Sequence, residues 1–484
     1  MKTQNRSRNL FFILKNKFYQ KLFSALVILT ILSQYSAATT YNITSANPNF
    51  GYYVSASGSP NPAPACGDVF NISCNVAIDE NYYFEGCTFN VDAGFGMTLD
   101  NYIKVTFDKC VANTPSTTTT WVGIYAGFPS NGITITNISS CTATSGSIFS
   151  NMDHGVVCEN GATLNCNNSY FYYNDFALSI KNAPSGSYPG IIENNHFVGT
   201  NTMLINSLGT YSYCALYINN VSNSSSSDIL TIGGQSVGQP NYFSGSMLGV
   251  ININANLDIE GNVFRGIGYS AAAGIAQQTG IFIQNLAGSV VVCNANVFFD
   301  SYSMGVWCSA IKSTIDIGGN YFTSVLCENI FLYECDGSTI NVNHQNVCND
   351  WGGGANLYFG VSQVAIRATN NQTFSLGTPT TLQIYDNALF NSGIRVGILV
   401  DEPAPSPSYN LSINANRIVD VRRGITVRNI FKSWIGYNYC VIHWASGGFS
   451  WGIRTDDCPL TTYYTNEIHG DAYNNLNQFG IGIV

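Results

Sequence analysis

The sequence predicts an all-β solenoid, in which short parallel strands are wound into successive coils and stacked along one axis. Two observations support this. Only 10% of the 484 residues are charged, whereas 13% are aromatic and 46 are glycine. That composition is typical of many short strands joined by polar turns, and not of long helices or disordered chain. In addition, strand-like patterns recur at intervals of 22 to 41 residues, and a repeat of this length indicates a solenoid.

The first repeated pattern is an apolar–x–apolar strand followed by a small or polar corner, an asparagine and an apolar residue. STIDIGGNYF at 313–322, LDIEGNVF at 257–264 and LSINANRIV at 411–419 are copies. Alternate apolar residues would face inward, and the corner needs a positive φ that Gly and Asn tolerate. Stacked corner asparagines are predicted to form a hydrogen-bonded ladder. Its expected members are Asn262, Asn296, Asn320, Asn346, Asn387, Asn416, Asn438 and Asn466.

A second strand pattern follows each corner by 8 to 18 residues, as in GIFIQN at 280–285 and GITVRN at 424–429. Two strand signals in each unit, with no helix-forming sequence between them, fit a coil built from successive strands. An antiparallel β-sandwich array is the alternative. Two-residue hairpin signals are rare between the strands, which favours the solenoid.

Together the patterns resemble the right-handed parallel β-helix repeat family, the fold of pectate-lyase-like proteins, most clearly over 190–484. The resemblance implies a single-stranded right-handed parallel β-helix, a fold that hosts lyases, hydrolases, epimerases, adhesins and inert spacers. The pair Asp456–Asp457 is similar to that of polygalacturonase-type hydrolases. The Gly-His-Gly and Arg-x-Lys elements of those enzymes, and the acidic triplet of calcium-dependent pectate lyases, have no counterpart in this sequence. No family mechanism is therefore carried over.

Residues 1–38 are predicted to be a secretory signal peptide. They combine six basic residues with the apolar run LFSALVILTIL at 22–32 and small residues at 36–38. An uncleaved membrane anchor is the alternative, although the apolar run is short for a membrane span. Residues 39–120 are then expected to form an N-terminal cap and the first coils, in which 47–67 leads into or caps the first coil. Residues 121–484 are expected to form the β-helix repeats. The protein is expected to be secreted or at the cell surface.

The net charge of the chain limits the classes of partner, and its cysteines allow disulfide bonds. Loss of the signal peptide would leave 13 of the 19 basic residues against 28 acidic ones, a net charge of −15, which argues against nucleic acid and anionic membranes. The 15 cysteines could pair in an oxidising compartment; Cys66 and Cys74, and Cys327 and Cys335, are close in sequence. Cysteines at strand positions, as in VVVCNANVF at 290–298, could instead pack as small apolar residues. No metal or cofactor is expected.

The second strand pattern predicts a row of outward side chains along one face. Phe282, Trp307, Phe331 and Arg367 are predicted to bind a ligand, because rings cover the apolar face of a sugar and a guanidinium can bind a uronate carboxylate. Leu399, Thr426 and Arg454 continue the row. The alternative is that insertions such as 182–190, 221–228 and 269–278 cover this face, which would make the aromatic residues ordinary packing.

A charged cluster is predicted two positions further along these strands. Asp401, Arg428 and Asp456 fall on three successive coils, with Arg454 beside Asp456. Two carboxylates across an arginine could act as the acid and base of a glycosidase, or Arg428 could neutralise a uronate in a lyase. The alternative is a surface charge ladder that slightly stabilises register. The histidines are dispersed, and Asp153–His154 is a single pair for which no third partner can be placed from the sequence.

Two functions remain open from the sequence. The favoured one is an exported, non-catalytic β-helix whose long face contacts glycans or other extracellular macromolecules. The alternative is a polysaccharide lyase or glycoside hydrolase acting on an acidic polysaccharide, with Asp401, Arg428, Arg454 and Asp456 as catalytic residues. An enzyme needs these groups to converge in one open groove, whereas an adhesive module does not.

Overall fold

The three-dimensional structure, a computed structural model, describes most of the chain beyond the predicted signal peptide. The insertions 182–190, 221–228 and 269–278, which the covering alternative places over the outer row, lie largely outside the residues that the structure describes. Those residues are 38–114, 122–141, 146–183, 190–199, 213–221, 229–234, 240–268, 279–284, 291–301, 304–325, 327–335, 337–348, 364–371, 379–390, 395–405, 407, 409–442 and 450–470.

The described residues contain 44 strands, which form three all-parallel sheets of 16, 14 and 14 strands. From the second strand onward, neighbours within a sheet are three strands apart along the chain, so each coil gives one strand to every sheet. The predicted fold class, a single-stranded right-handed parallel β-helix, is confirmed. One 3-10 helix, Phe50–Tyr52, precedes the second strand. Among the described residues no helix is long and apolar enough to cross a membrane.

Sheet 1 carries a stack of phenylalanines on its inward side. The rings of Phe197, Phe243, Phe264, Phe298 and Phe322 follow one another with centroids 4.7 to 4.8 Å apart, which is the spacing of neighbouring strands. The strands are β1 (Thr40–Ile43), β2 (Val69–Ile72), β5 (Thr88–Val91), β8 (Val111–Asn113), β11 (Ser147–Ser150), β14 (Ser169–Tyr172), β17 (His196–Val198), β20 (Tyr242–Ser244), β23 (Val263–Arg265), β26 (Val297–Ser301), β29 (Tyr321–Val325), β32 (Asn346–Cys348), β35 (Ala388–Phe390), β38 (Arg417–Val421), β41 (Tyr439–Ile442) and β44 (Glu467–Gly470).

Sheet 2 contains the second strand pattern. Its strands begin where the chain passes close to the phenylalanine stack. A Cβ at Gly305 would lie 2.4 Å from the Phe322 ring and 2.6 Å from the Asn329 carbonyl oxygen, which explains the glycine. The strands are β3 (Val76–Ile78), β6 (Met97–Leu99), β9 (Val122–Ala126), β12 (His154–Glu159), β15 (Phe176–Lys181), β18 (Cys214–Asn219), β21 (Leu248–Ile253), β24 (Thr279–Gln284), β27 (Met304–Ser309), β30 (Ile330–Tyr333), β33 (Val364–Thr369), β36 (Val396–Asp401), β39 (Arg423–Arg428) and β42 (Trp451–Asp456).

Sheet 3 contains the apolar–x–apolar strands of the first pattern. In β28, Ile315 and Ile317 are buried while Asp316 is partly exposed, the alternation expected of a strand with one face in the core. The strands are β4 (Tyr83–Glu85), β7 (Lys104–Asp108), β10 (Gly132–Thr136), β13 (Thr163–Asn167), β16 (Gly190–Glu193), β19 (Leu230–Gly233), β22 (Leu257–Glu260), β25 (Val291–Asn294), β28 (Thr314–Gly318), β31 (Thr339–Asn343), β34 (Thr380–Tyr385), β37 (Tyr409–Asn414), β40 (Lys432–Gly436) and β43 (Leu460–Tyr464).

A buried asparagine ladder lines the corner between sheets 3 and 1, as predicted. Asn296 Nδ2 donates to Asn320 Oδ1 at 3.0 Å and to the Ile259 carbonyl oxygen at 2.9 Å. The positive φ lies on the preceding residue, 54° at Ala295 and 60° at Gly319. The bend and the side-chain bonding are therefore divided between two consecutive residues. The amide stacking recurs at Asn195, Asn241, Asn262, Asn387, Asn416 and Asn438.

The prediction that Asn346 belongs to the ladder is wrong, because Gln345 takes its place. The Asn320 N–H donates to Gln345 Oε1 at 3.2 Å, and the Gln345 N–H donates to Asn387 Oδ1 at 3.0 Å. Asn346 instead begins β32. Glutamine carries the same amide one methylene further from the backbone, so the ladder continues through it.

The segment 47–67 contributes Phe50 to the core of the first coils, and its capping role stays a prediction. Phe50 is fully buried, with its ring centroid 5.3 Å from that of Phe70 and 5.5 Å from that of Phe84. Cys66 forms a disulfide bond with Cys141, 75 residues away, and not with its sequence neighbour Cys74. Pairing of β7 with β10 and of β8 with β11 carries the sheets past the predicted boundary at 120; that boundary stays a prediction.

Candidate ligand-binding groove

The outer face of sheet 2 carries straight rows of side chains that run along the solenoid axis. Phe282 pairs with Trp307, Trp307 with Phe331, and Phe331 with Arg367. The register of the predicted row is therefore confirmed. The same register continues through Leu399, Thr426 and Arg454.

A groove of about 780 Å³ opens on the earlier coils of this face. Two members of the predicted row, Phe282 and Trp307, line one end of it, and His154 and Phe176 line the other. Phe331 and Arg367 lie in the coils beyond the groove. Its remaining lining residues are Lys181, Tyr213, Tyr217, Asn219, Leu248, Ile251 and Ile253.

Two pairs of aromatic rings in the groove are crossed, unlike the phenylalanine stack of sheet 1. The ring planes of Phe282 and Trp307 meet at 72°, with centroids 5.0 Å apart, and those of Phe176 and Tyr217 meet at 79°, with centroids 5.8 Å apart. Rings in the core stack of sheet 1 from Phe197 onward lie within 9° of parallel. Parallel rings cover each other's faces, whereas crossed rings leave faces available. The groove can therefore offer ring faces to a sugar.

The polar side chains of the groove are held by neighbours. Lys181 Nζ lies 3.7 Å from Glu159 Oε1, and Asn219 Nδ2 donates to Tyr217 Oη at 2.9 Å. These contacts orient a small number of hydrogen-bonding groups in an otherwise apolar groove, which is the usual composition of a ligand site.

The histidine end of the groove has a third ionisable group that the sequence did not reveal. His154 Nδ1 lies 3.1 Å from Asp153 Oδ2, and the His154 ring stacks on Phe176 with centroids 4.6 Å apart. Asp175 lies one coil further, where burial, and next the charge of Asp153, raise its pKa to about 6. Asp175 is thus a neighbour of the Asp153–His154 pair that could not be placed from the sequence. Within the described part of the chain no group of three His, Cys, Asp or Glu side chains is placed to hold a metal ion.

Arg367, at the far end of the predicted ligand-binding row, is already paired. Its Nη1 lies 3.1 Å from Glu328 Oε1, and its guanidinium lies 5.3 Å from the centre of the Phe331 ring. Glu328 is 3% exposed. Transfer of Arg367 to a ligand carboxylate would leave a buried charge unpaired, which is costly.

The four predicted catalytic residues do converge, as an alternating chain of ion pairs. Arg428 Nη1 lies 3.4 Å from Asp401 Oδ2, Arg428 Nε lies 3.3 Å from Asp456 Oδ2, and Arg454 Nε lies 2.9 Å from the same oxygen. Each carboxylate is thus bound by a guanidinium, and about a third of each side chain is exposed. This geometry favours the charge-ladder alternative, while a catalytic role for the four residues stays a prediction.

Trp451 covers Thr426 near the end of the outward row. Its ring lies between Arg423 and Arg454, whose guanidinium carbons are 4.3 and 4.9 Å from the ring centre. The indole Nε1 donates to Thr426 Oγ1 at 3.0 Å. Thr426, predicted to face outward, is only 2% exposed. Burial beside other arginines lowers the pKa of Arg423.

The groove residues of the earlier coils were missed by sequence reasoning. FALSIK at 176–181 and CALYIN at 214–219 keep the spacing of GIFIQN but lack its leading glycine. An alignment on the apolar–x–apolar core of these stretches would have extended the row to Tyr217.

No family model and no curated protein matches the chain. Among solved structures, it is similar to an alginate lyase from Paenibacillus sp. str. FPU-7, at 13% identity over 72% of this chain and 95% of that one, with a TM-score of 0.25. It is also similar to the A-module of the Azotobacter vinelandii mannuronan C-5 epimerase AlgE4, at 10% identity over 83% and 86% of the two chains, with a TM-score of 0.19. Similarities this low carry no functional argument.

Proposed function

We propose that the protein binds a polysaccharide chain in the groove on the outer face of sheet 2. The observation that supports this most strongly is the groove itself, which is lined by crossed aromatic rings and a few oriented polar groups. Rings of this kind contact the C–H face of a pyranose. Equivalent side chains recur about every 4.8 Å along the axis, so an extended polymer would meet the same row in each successive coil.

The charges near the groove favour an uncharged polysaccharide. Lys181 is paired with Glu159, and Arg367 further along is paired with Glu328. The chain as a whole has a formal net charge of −9. A polyanion would therefore meet repulsion that these two paired cations are not free to offset, whereas a hydroxyl-rich chain requires only ring faces and hydrogen bonds.

Substitution of Trp307 by alanine tests this proposal. We expect it to weaken retention by a neutral polysaccharide at least about fivefold, because an aromatic hot-spot residue of a binding site contributes more than about 1 kcal/mol. Affinity electrophoresis of the purified protein through gels that contain neutral or acidic polysaccharides measures this. Tyr321→Ala is the matched control, since Tyr321 is 40% exposed but lies on sheet 1. Equal retention of all three proteins would contradict the proposal.

A second candidate function is cleavage of the bound chain, as a lyase or a hydrolase. It is favoured by one observation, the His154 ring held in the groove by Asp153 at one nitrogen and by Phe176 on one face. An oriented imidazole is a common general base. In this reading the catalytic residues lie at the histidine end of the groove and not among the charged side chains near Arg428.

Release of reducing ends from acidic and neutral polysaccharides tests this candidate. If the groove is catalytic, we expect His154→Ala to lower release at least about 100-fold, the usual contribution of a general base. Asp401→Asn should then change release by less than about threefold, because its carboxylate belongs to the ion-pair chain. The opposite ranking would place catalysis at Asp401 and Arg428. An absence of release, with retention intact, would leave a binding protein.

A further inference from the structure

We propose that Cys87 and Cys110 form a second disulfide bond within the first coils of the solenoid. The inference is independent of the groove and of its ligand. It concerns the same end of the molecule as the Cys66–Cys141 bond.

The backbone places Cys87 and Cys110 directly beside each other. Cys87 immediately precedes β5 and Cys110 immediately precedes β8, and these strands pair with Thr88 opposite Val111. The Val111 N–H donates to the Cys87 carbonyl oxygen at 2.9 Å. In-register residues on parallel strands are about 4.8 Å apart, which lies within the roughly 4.4 to 6.8 Å between Cα atoms joined by a disulfide.

The two thiols also meet within the core. Both residues are 0% exposed. The Cys110 thiol, and then burial, raise the pKa of Cys87. The Cys87 thiol donates to the Ala65 carbonyl oxygen at 3.5 Å and the Cys110 thiol to the Phe84 carbonyl oxygen at 3.2 Å. Two adjacent buried thiols have no access to solvent, so oxidation would take place while the coil folds.

Other core cysteines stack on aliphatic residues instead. Cys293 pairs with Ile259 and Ile317. Cys308 pairs with Ile283 and Leu332. Cys293 and Cys308 serve as small apolar core residues in their strands, whereas Cys87 and Cys110 occupy equivalent positions directly before two paired strands.

The surroundings bring four cysteines into one cluster. A Cβ at Gly86 would lie 2.0 Å from Cys141 Sγ and 3.4 Å from Cys66 Sγ, so the backbone next to Cys87 packs on the existing disulfide. The conditions that form the Cys66–Cys141 bond would also oxidise the neighbouring pair. The first bond ties the cap to a later coil, and the second would close one complete coil beneath it.

The chemistry requires one molecule of a small disulfide oxidant, such as oxidised glutathione. The thiolate of one cysteine attacks the oxidant, forms a mixed disulfide and releases one small thiol. The second cysteine then attacks the mixed disulfide, forms the Cys87–Cys110 bond and releases the other small thiol. The protein loses two hydrogen atoms, and the oxidant gains them.

A peptide map without reduction tests the proposal. The protein, folded in the presence of oxidised glutathione, is denatured, alkylated and cleaved after aromatic residues. Cleavage places the four cysteines in separate peptides, 54–70, 85–89, 108–121 and 126–149. The expected result is a linked pair of 85–89 with 108–121, lost on reduction, beside the 54–70 and 126–149 pair. Alkylated Cys87 and Cys110 in separate peptides would overturn the proposal, as would a link from either one to Cys66 or Cys141.

Single variants provide a second readout. In Cys87→Ser the proposal expects Cys110 to become fully alkylated after denaturation without reduction, and Cys110→Ser should expose Cys87 in the same way. Each variant should also unfold at a lower temperature than the wild type under oxidising conditions, with most of that difference lost when both are reduced. A difference that is unchanged on reduction would assign the effect to packing and contradict the disulfide.

Discussion

Replacement of Asn296 by alanine should lower the free energy of unfolding by about 3 kcal/mol or more. Asn296 Oδ1 accepts from the Asn262 N–H and from Asn262 Nδ2, each at 3.0 Å, while Asn296 Nδ2 donates to the Ile259 carbonyl oxygen. Alanine would leave all three partners buried without their bond, and each unsatisfied group costs roughly 1 to 3 kcal/mol. Denaturant-induced unfolding, followed by circular dichroism, measures the loss.

Asn410→Ala is the control for this experiment, because Asn410 is an exposed residue of β37. A substitution there should change the free energy of unfolding by less than about 0.5 kcal/mol. Similar small effects at both positions would show that the ladder contributes little beyond its backbone bonds.

A pH-dependent loss of stability should arise from Glu402, which is 2% exposed. Burial raises its pKa from 4.5 to about 7 in the folded protein. Below pH 4.5 the carboxyl is protonated in both states; between about 4.5 and 7 the unfolded chain releases the proton while the folded one keeps it. The free energy of unfolding should therefore fall as pH rises through this window, by roughly 3 kcal/mol in total.

Glu402→Gln removes this titration and isolates its contribution. Relative to the wild type, we expect the variant to gain about 3 kcal/mol between pH 4.5 and pH 8, measured by urea unfolding at several pH values. Asp100→Asn, at an exposed carboxylate, should keep the wild-type pH dependence. A stability difference between variant and wild type that is the same at both pH values would mean that folding does not raise the pKa of Glu402.

The fold and the register of the outer row could be predicted because every coil repeats the same constraints. Trp307, Phe331 and Arg367 occupy one row whatever the length of the connections between their strands. The prediction failed at Asn346 because it considered only asparagine as a member of the ladder. The ladder needs a buried amide, and the glutamine next to Asn346 supplies one.

The groove was only partly predictable, because its histidine end depends on contacts between coils. Asp153 and Asp175 are 22 residues apart in sequence and become neighbours only through the path of the coil between them. The Cys66–Cys141 bond has the same origin, across 75 residues. The pairing of Arg367 with Glu328 likewise depends on a residue outside the repeated strand pattern.

The interstrand hydrogen bonds of all three sheets point along the solenoid axis, since every strand pairs with the coils before and after it. Tension applied between the ends of the molecule would therefore pull in line with these bonds and peel the coils away one after another. The chain would lengthen in discrete steps, each releasing one coil while the rest kept its shape. Such a molecule yields gradually to a mechanical load and does not fail all at once.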